Sequence, residues 1–217
     1  ASGLGVELAL ERVENELRKP GPVFNAMARV AVARGAEYVY RVNDDTQFVN
    51  LWARTLTRAL AALEPRDVGA AGPACRQGKK SIMTHDFTHR THMRIFNGSY
   101  YPPELSDWYM DDWISRVYGR RRTVRAPGGV EVVHHTGHHG KRYQVDQSHK
   151  RLLDGLVEDG KERIASWILA HGGDGGADAV GLARVFLEDQ FDGGTSTGTT
   201  RSSGRGSAAV RSPKRWF

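Results

Sequence analysis

Apolar residues fall at helical spacing at Val6, Leu10, Val13 and Leu17, with Glu7, Glu11, Glu14 and Glu16 between them, which predicts a helix over residues 5–18. Lys19-Pro20-Gly21-Pro22 breaks it. Pro22 suits the first turn of a second helix over 23–34, which turns Phe24, Met27, Val30 and Ala31 inward and stops at Gly35. Residues 38–42 are aromatic or β-branched apart from Arg41 and read as a strand. A helix over 51–63 carries Leu56, Leu60 and Leu63 on one face, and 67–71 reads as another strand. Helix, strand, helix, strand in that order predicts an α/β domain, a mainly parallel sheet flanked by helices.

The middle of the chain is less regular. Residues 72–80 form a loop by their Gly and Pro content, 86–96 suit a helix, and 97–106 turn around Pro102-Pro103. A short aromatic helix covers 108–118. Arg120, Arg121, Arg122 and Arg125 then lead into a strand over 130–133 that ends in His134-His135. The last long helix, 146–171, has Leu152, Leu153, Leu156, Val157, Ile164, Trp167 and Ile168 as its core face, and Gly155 and Gly160 weaken it. From residue 172 the chain turns to Gly, Ser, Thr and Ala, with one short helix at 179–189 and expected disorder from 193. The organisation read from this is one domain over 1–171 and a low-complexity basic tail over 172–217.

Composition changes this picture in one respect. The net charge is +6, but Arg201, Arg205, Arg211, Lys214 and Arg215 stand in a tail segment without acids, so the rest of the chain is close to neutral. That balance argues against nucleic acid as a partner. Cys75 is the single cysteine, so no intrachain disulfide forms, and no apolar run reaches the length of a membrane span.

Four groups of residues carry candidate chemistry. The strand over 38–42 runs into Asn43-Asp44-Asp45, which leaves acids at a strand's carboxyl edge, where open α/β sheets bind ligands. Crowded carboxylates call for a cation, and oxygen ligands favour Mg²⁺ or Mn²⁺ held together with substrate phosphates. The plainer alternative is a cap for the next helix. Asp111-Asp112 lie between Trp108 and Trp113. Adjacent helix residues do not share a face, so one acid points into a given pocket, where tryptophan walls raise its pKa and make it a better base; a solvated pair balancing the nearby arginines is the alternative. His134-His135-Thr136-Gly137-His138-His139 offers imidazoles at a strand end, and as a cluster points to metal ligation. His85, His89 and His92 share one helical face if 86–96 is helical, but lack the Glu of the zinc signature and read as a polar face.

A strand ending in a DxD-like cluster, then an acid pair on a helix, then a strand ending in histidine, resembles the nucleotide-sugar glycosyltransferases of the GT-A fold. The lead-in Asn25-Ala26-Met27-Ala28 to Ala33-Arg34-Gly35-Ala36-Glu37-Tyr38-Val39 is similar to family-2-like members, and the resemblance spans residues 22–169. It implies a partial GT-A fold, a UDP- or GDP-sugar donor, a glycan or glycoprotein acceptor, and Mn²⁺ or Mg²⁺. By position, Asn43, Asp44 and Asp45 would contact donor and metal, with Asp45 a metal ligand and His135, or failing it His134, another. Asp112 would be the catalytic base, facing inward with Trp108 at i−4. Asp111 would diverge by about 100° toward solvent or the Arg120–Arg122 run. Trp108, Asp111 and Trp113 would form the acceptor side, with Tyr100 and Tyr101 as further stacking candidates.

Asn43 replaces the family's first aspartate, and the nucleoside-binding strand–helix–strand unit expected before residue 22 finds no place in residues 1–18, so the domain is expected to be incomplete at its N-terminus. A metal-dependent hydrolase and an inactive glycan-binding pseudoenzyme are the alternatives from other classes. For the tail, deletion of residues 193–217 is expected to leave the melting temperature unchanged. A drop of several degrees in a thermal scan would show instead that Trp216-Phe217 docks on the domain.

Overall fold

Alternation along Tyr38-Val39-Tyr40 sends two aromatic rings to one side of the sheet and Val39 to the other, and the two sides are covered differently. The computed structural model describes residues 9–75, 77, 81–126, 129–135, 137, 147–171 and 178–189. Helix α1 (Pro20–Ala33) leads into β1 (Tyr38–Tyr40) and β2 (Thr46–Phe48); then come α2 (Ala53–Ala61), β3 (Ala70–Gly72), β4 (Ala74–Cys75), β5 (Phe87–His89) and α3 (Thr91–Ile95). Next are α4 (Met110–Val117), α5 (Gly119–Arg122), β6 (Thr123–Arg125) and β7 (Glu131–His134). A 3-10 turn (Gln147–His149) opens α6 (Lys150–His171), and α7 (Ala179–Glu188) follows.

The strands make two mixed sheets. The larger has the order β1-β5-β3-β6, with β5 antiparallel to both neighbours and β3 parallel to β6. Strands β1, β3 and β6 therefore run the same way, with β5 reversed among them. The smaller sheet has the order β2-β7-β4. Strands β1, β3 and β6 are followed in the chain by β2, β4 and β7, so the small sheet takes over where the large one ends. Only Pro73 separates β3 from β4. Backbone bonds secure the crossings: Ala126 N donates to Gly72 O at 2.9 Å and Ala74 N to Val130 O at 2.8 Å.

One face of the large sheet takes α2, with Leu56, Leu60, Ala71 and Phe87 buried under Tyr38, Tyr40 and Trp52. The other carries the main core, built from Ala28, Tyr100, Tyr101, Trp113, Ile114, Val117, Tyr118, Ile164 and Ile168 among others. Among the described residues no helix is long and apolar enough to cross a membrane.

Several expectations are corrected. The sheets are mixed, not mainly parallel, because residues 87–89, expected to be helical, form β5. The cause is the apolar side chain at its start: Phe87 lies opposite Tyr40 and Ala71 and stacks on Tyr38 at 5.2 Å, so it fills the α2 side of the sheet. Helix α3 keeps the rest of that stretch. Residues 9–18 are not helical, and Leu10 and Leu17 are exposed, with no apolar surface to hold a helix face. Helix α1 starts earlier than expected and buries Gly21, Asn25 and Ala28, which turns Met27 outward. Leu152 is also exposed. Gly35 ends α1 with φ of +91°, as expected of a residue past a helix end. Residues 138–146 and the stretch from 190 on lie outside the described residues, and with them His138, His139 and the tail.

The two glycines of α6 have opposite roles. A Cβ on Gly160 would stand 2.5 Å from Val117 Cγ2, so the glycine lets α6 lie close on α4, whereas nothing lies within 4 Å of the same point on Gly155. Gly155→Ala should stabilise the fold by up to ~1 kcal/mol through helix propensity, and Gly160→Ala should destabilise it by ~1–3 kcal/mol through overpacking. Thermal denaturation of the two variants checks the difference in sign.

Candidate functional site

Continuing the alternation past β1 puts Arg41 on the main-core side, and there its guanidinium is enclosed. It donates through Nε to the Tyr101 hydroxyl at 2.8 Å and through Nη1 to Thr84 O at 2.7 Å, and it lies 5.3 Å from the centre of the Phe24 ring. Nη2 is 2.7 Å from Asp86 Oδ1 and also meets Asp111 Oδ1. Asp86 is fully buried and accepts further hydrogen bonds from the Tyr100 hydroxyl at 2.7 Å and the Tyr101 hydroxyl at 2.8 Å. Asn25 of α1 fixes those tyrosines: its Oδ1 accepts from Tyr100 N and Tyr101 N, and its Nδ2 donates to Tyr101 O.

Directly beyond Arg41 the chain crosses to the small sheet, and the antiparallel pairing of β2 with β7 sets Thr46 opposite His134. That register brings His134 Nε2 to 2.9 Å from Asp45 Oδ1 and to 3.1 Å from Asn43 Nδ2. Asp45 Oδ1 is buried and accepts no hydrogen bond among the described residues. The carboxylate and the imidazole thus face each other in a place where the Asp45 and His134 side chains keep 12% and 17% of their exposure. His85 backs the pair: its ring packs edge-on against His134 with centroids 5.1 Å apart, and its Nε2 meets Thr46 Oγ1 at 2.8 Å. Burial, then the charge of Arg41, then His134 push the His85 pKa down to about 3, so it stays neutral.

The structure brings together Asn43, Asp45 and His134. His134, rather than the preferred His135, faces Asp45. Strand alternation turns the next ring the other way, and His135 pairs through Nε2 with Gln47 Oε1 at 3.0 Å while its backbone N–H donates to Asp45 O at 2.8 Å. Asp44 is exposed. Asp111 does not turn to solvent or to the Arg120–Arg122 run; the buried Arg41 draws it in. Asp112 is half-buried. Trp108 is 40% exposed and offers a ring face, whereas Trp113 is a core residue, 1% exposed, whose indole N–H donates to Leu156 O at 3.0 Å. Tyr100 and Tyr101 are equally buried, as sheet supports rather than sugar platforms. The three histidines of 85–92 part company: His85 reaches His134, His89 accepts from Thr91 N at 3.2 Å, and His92 enters the core.

Arg41, Asp86, Asn25 and His85 carry this region and were not singled out from the sequence for these roles. The available signal was Arg41 itself, a charge in an otherwise apolar strand. Among the described residues no group of three or more His, Cys, Asp and Glu side chains is arranged to hold a metal ion. Compared with protein-family models, with curated proteins and with solved structures, the chain matches none.

His92 gives the region a pH signature. Its Nε2 donates to Tyr100 O and its Nδ1 accepts from the Tyr118 hydroxyl, both at 2.7 Å. Burial pushes its pKa down to about 4 from an ordinary 6.5. The unfolded chain binds this proton first, so stability is present above pH 6.5 and is lost as pH falls toward 4. Urea denaturation at pH 7 and pH 4 should show wild type losing more than His92→Phe over that window, by on the order of 3 kcal/mol.

Proposed function

We propose that the chain is a metal-dependent glycosyltransferase of GT-A type, moving a sugar from a UDP- or GDP-sugar to a hydroxyl of a glycan or glycoprotein. The observation that carries the reading is the pairing of Asp45 Oδ1, a buried carboxylate oxygen, with His134 Nε2 at 2.9 Å, an oxygen and an imidazole nitrogen set side by side at a strand end. An ion of the Mg²⁺ or Mn²⁺ class takes one or two protein ligands and completes its shell with substrate phosphates and water, so a two-residue site fits it better than it fits structural zinc. Bound there, the ion would offset the charge that develops on the departing diphosphate.

The chain's own residues divide the remaining work. Asp45 and His134 would hold the ion, and Asn43 stands beside them with its Nδ2 3.1 Å from His134 Nε2. His85 and Thr46 fix the ring from behind. The acid pair opening α4 supplies a carboxylate for the acceptor's proton, and Trp108 presents an apolar face of the kind that sugars stack on. Placement at the carboxyl ends of co-directional strands supports a ligand site here on general α/β grounds.

Calorimetric titration of Mn²⁺, alone and with UDP, tests the reading. Wild type should bind Mn²⁺ more tightly when UDP is present. Asp45→Ala and His134→Ala should each weaken it by at least about 10-fold, and His135→Ala should not. Metal affinity unchanged in Asp45→Ala under both conditions would refute the site. Free sugar released with no acceptor added would bring the hydrolase alternative forward, and glycan binding with no UDP or GDP release the pseudoenzyme.

A further inference from the structure

The buried ion pair at Arg41 has three members, and they are not alike. Asp86 has no exposure and is committed to Arg41, Tyr100 and Tyr101. Asp111 meets the same guanidinium nitrogen through Oδ1, yet its side chain keeps 32% of its exposure. One carboxylate locks the guanidinium in the core, and the other is held by it at the rim.

Asp111 is also fixed from its own helix. Ser115 Oγ donates to Asp111 O at 2.7 Å and accepts from Met83 N at 2.8 Å. This ties the first turn of α4 to residues 83–86, the same stretch whose Thr84 carbonyl receives Arg41 and whose His85 backs His134. Asp111 and the Asp45–His134 pair are therefore joined through one short segment of chain. Asp112, by contrast, is half-buried, and Trp108, expected on its helical face, lies outside α4, beyond Tyr109 with its φ of +66°.

We propose that Asp111, held at the rim by Arg41, is the group that takes the proton of the incoming hydroxyl, in place of its neighbour Asp112. The assignment rests on the transferase reading. The acceptor O–H gives its proton to the Asp111 carboxylate, and the freed oxygen pair forms the bond to the anomeric carbon. The bond from that carbon to the diphosphate oxygen breaks, and its electron pair leaves with the nucleoside diphosphate. Protonated Asp111 then returns the proton to solvent on its exposed side.

The charges around it suit that task. Burial raises the Asp111 pKa to about 6, Asp86 and Asp112 add to the rise, and Arg41 opposes it by Coulomb attraction and by its hydrogen bond. Such a group is ionised at neutral pH yet basic enough to accept a proton.

The test uses the full chain with Mn²⁺, a panel of UDP- and GDP-hexoses and mixed oligosaccharides as acceptors, reading nucleoside diphosphate release against pH. Asp111→Asn should lower kcat by about 10²-fold, with the Mn²⁺·UDP affinity unchanged. Asp111→Glu should recover part of the rate, and Asp112→Asn should still release nucleoside diphosphate but move the fall in rate, which wild type shows as pH drops through about 6, to lower pH, because it removes a charge that raises the Asp111 pKa. A second measurement needs no donor: in ¹³C carboxyl NMR, the resonance missing from Asp111→Asn should titrate near that same pH. Wild-type release that survives Asp111→Asn with its profile intact overturns this assignment and leaves the transferase reading standing. A resonance in the ordinary carboxylate range also overturns it. No release by wild type from any donor overturns both.

Discussion

Burying a guanidinium costs more than any single contact returns, and the middle of this fold is arranged around one. Arg41 is 7% exposed, with two carboxylates, a tyrosine hydroxyl, a backbone carbonyl and an aromatic face around it. Removing any one partner would leave charge stranded in a low-dielectric interior, where a broken pair costs several times what an intact one contributes. The pair therefore restricts geometry more than it adds stability. It holds β1 against the segment before β5, it sets the two tyrosines against α1 through Asn25, and it pulls the start of α4 toward the end of β1. Each of these brings a side chain to the place where the two sheets meet.

At that junction the sequence supplies an uneven set of groups. Asp45 and His134 come from opposite strands of the small sheet, brought together by register. Asp111 arrives from a helix on the other side of residues 83–86. The arrangement separates the Asp45–His134 pair from Asp111, while a single stretch of chain, residues 83–86, touches both. His85 adds no charge to this junction: it feels the guanidinium, packs against His134, and is kept neutral by its low pKa.

What could be read in advance divides along a physical line. Helices α2, α4, α6 and α7 were legible because their apolar spacing is local, and so was the strand leading to Asp45. Strand β5 was not, since Asp86 to Phe96 has no period that separates strand from helix; Phe87 is a strand residue because of Tyr38, Tyr40 and Ala71, none of them near it in sequence. The segment over 9–18 shows the converse, with a clean helical period and no surface to bury it on. In the site, the acids and His134 were legible by type, but the choice between His134 and His135 depends on strand phase. The inward turn of Asp111 depends on Arg41, which lies 70 positions away in the chain. Long-range electrostatics leaves no periodic trace.

The passage of β3 into β4 through a lone proline has a mechanical meaning. A lid works by swinging on a slack connection, and this one is taut: β3 ends at Gly72, β4 begins at Ala74, and bonds from Ala126 and Ala74 close the crossing on both sides. The small sheet cannot tilt away without tearing the edge of the large one. The meeting of the two sheets is thus built at folding, and a molecule bound there, as the proposed reading requires, would spend none of its affinity on organising it.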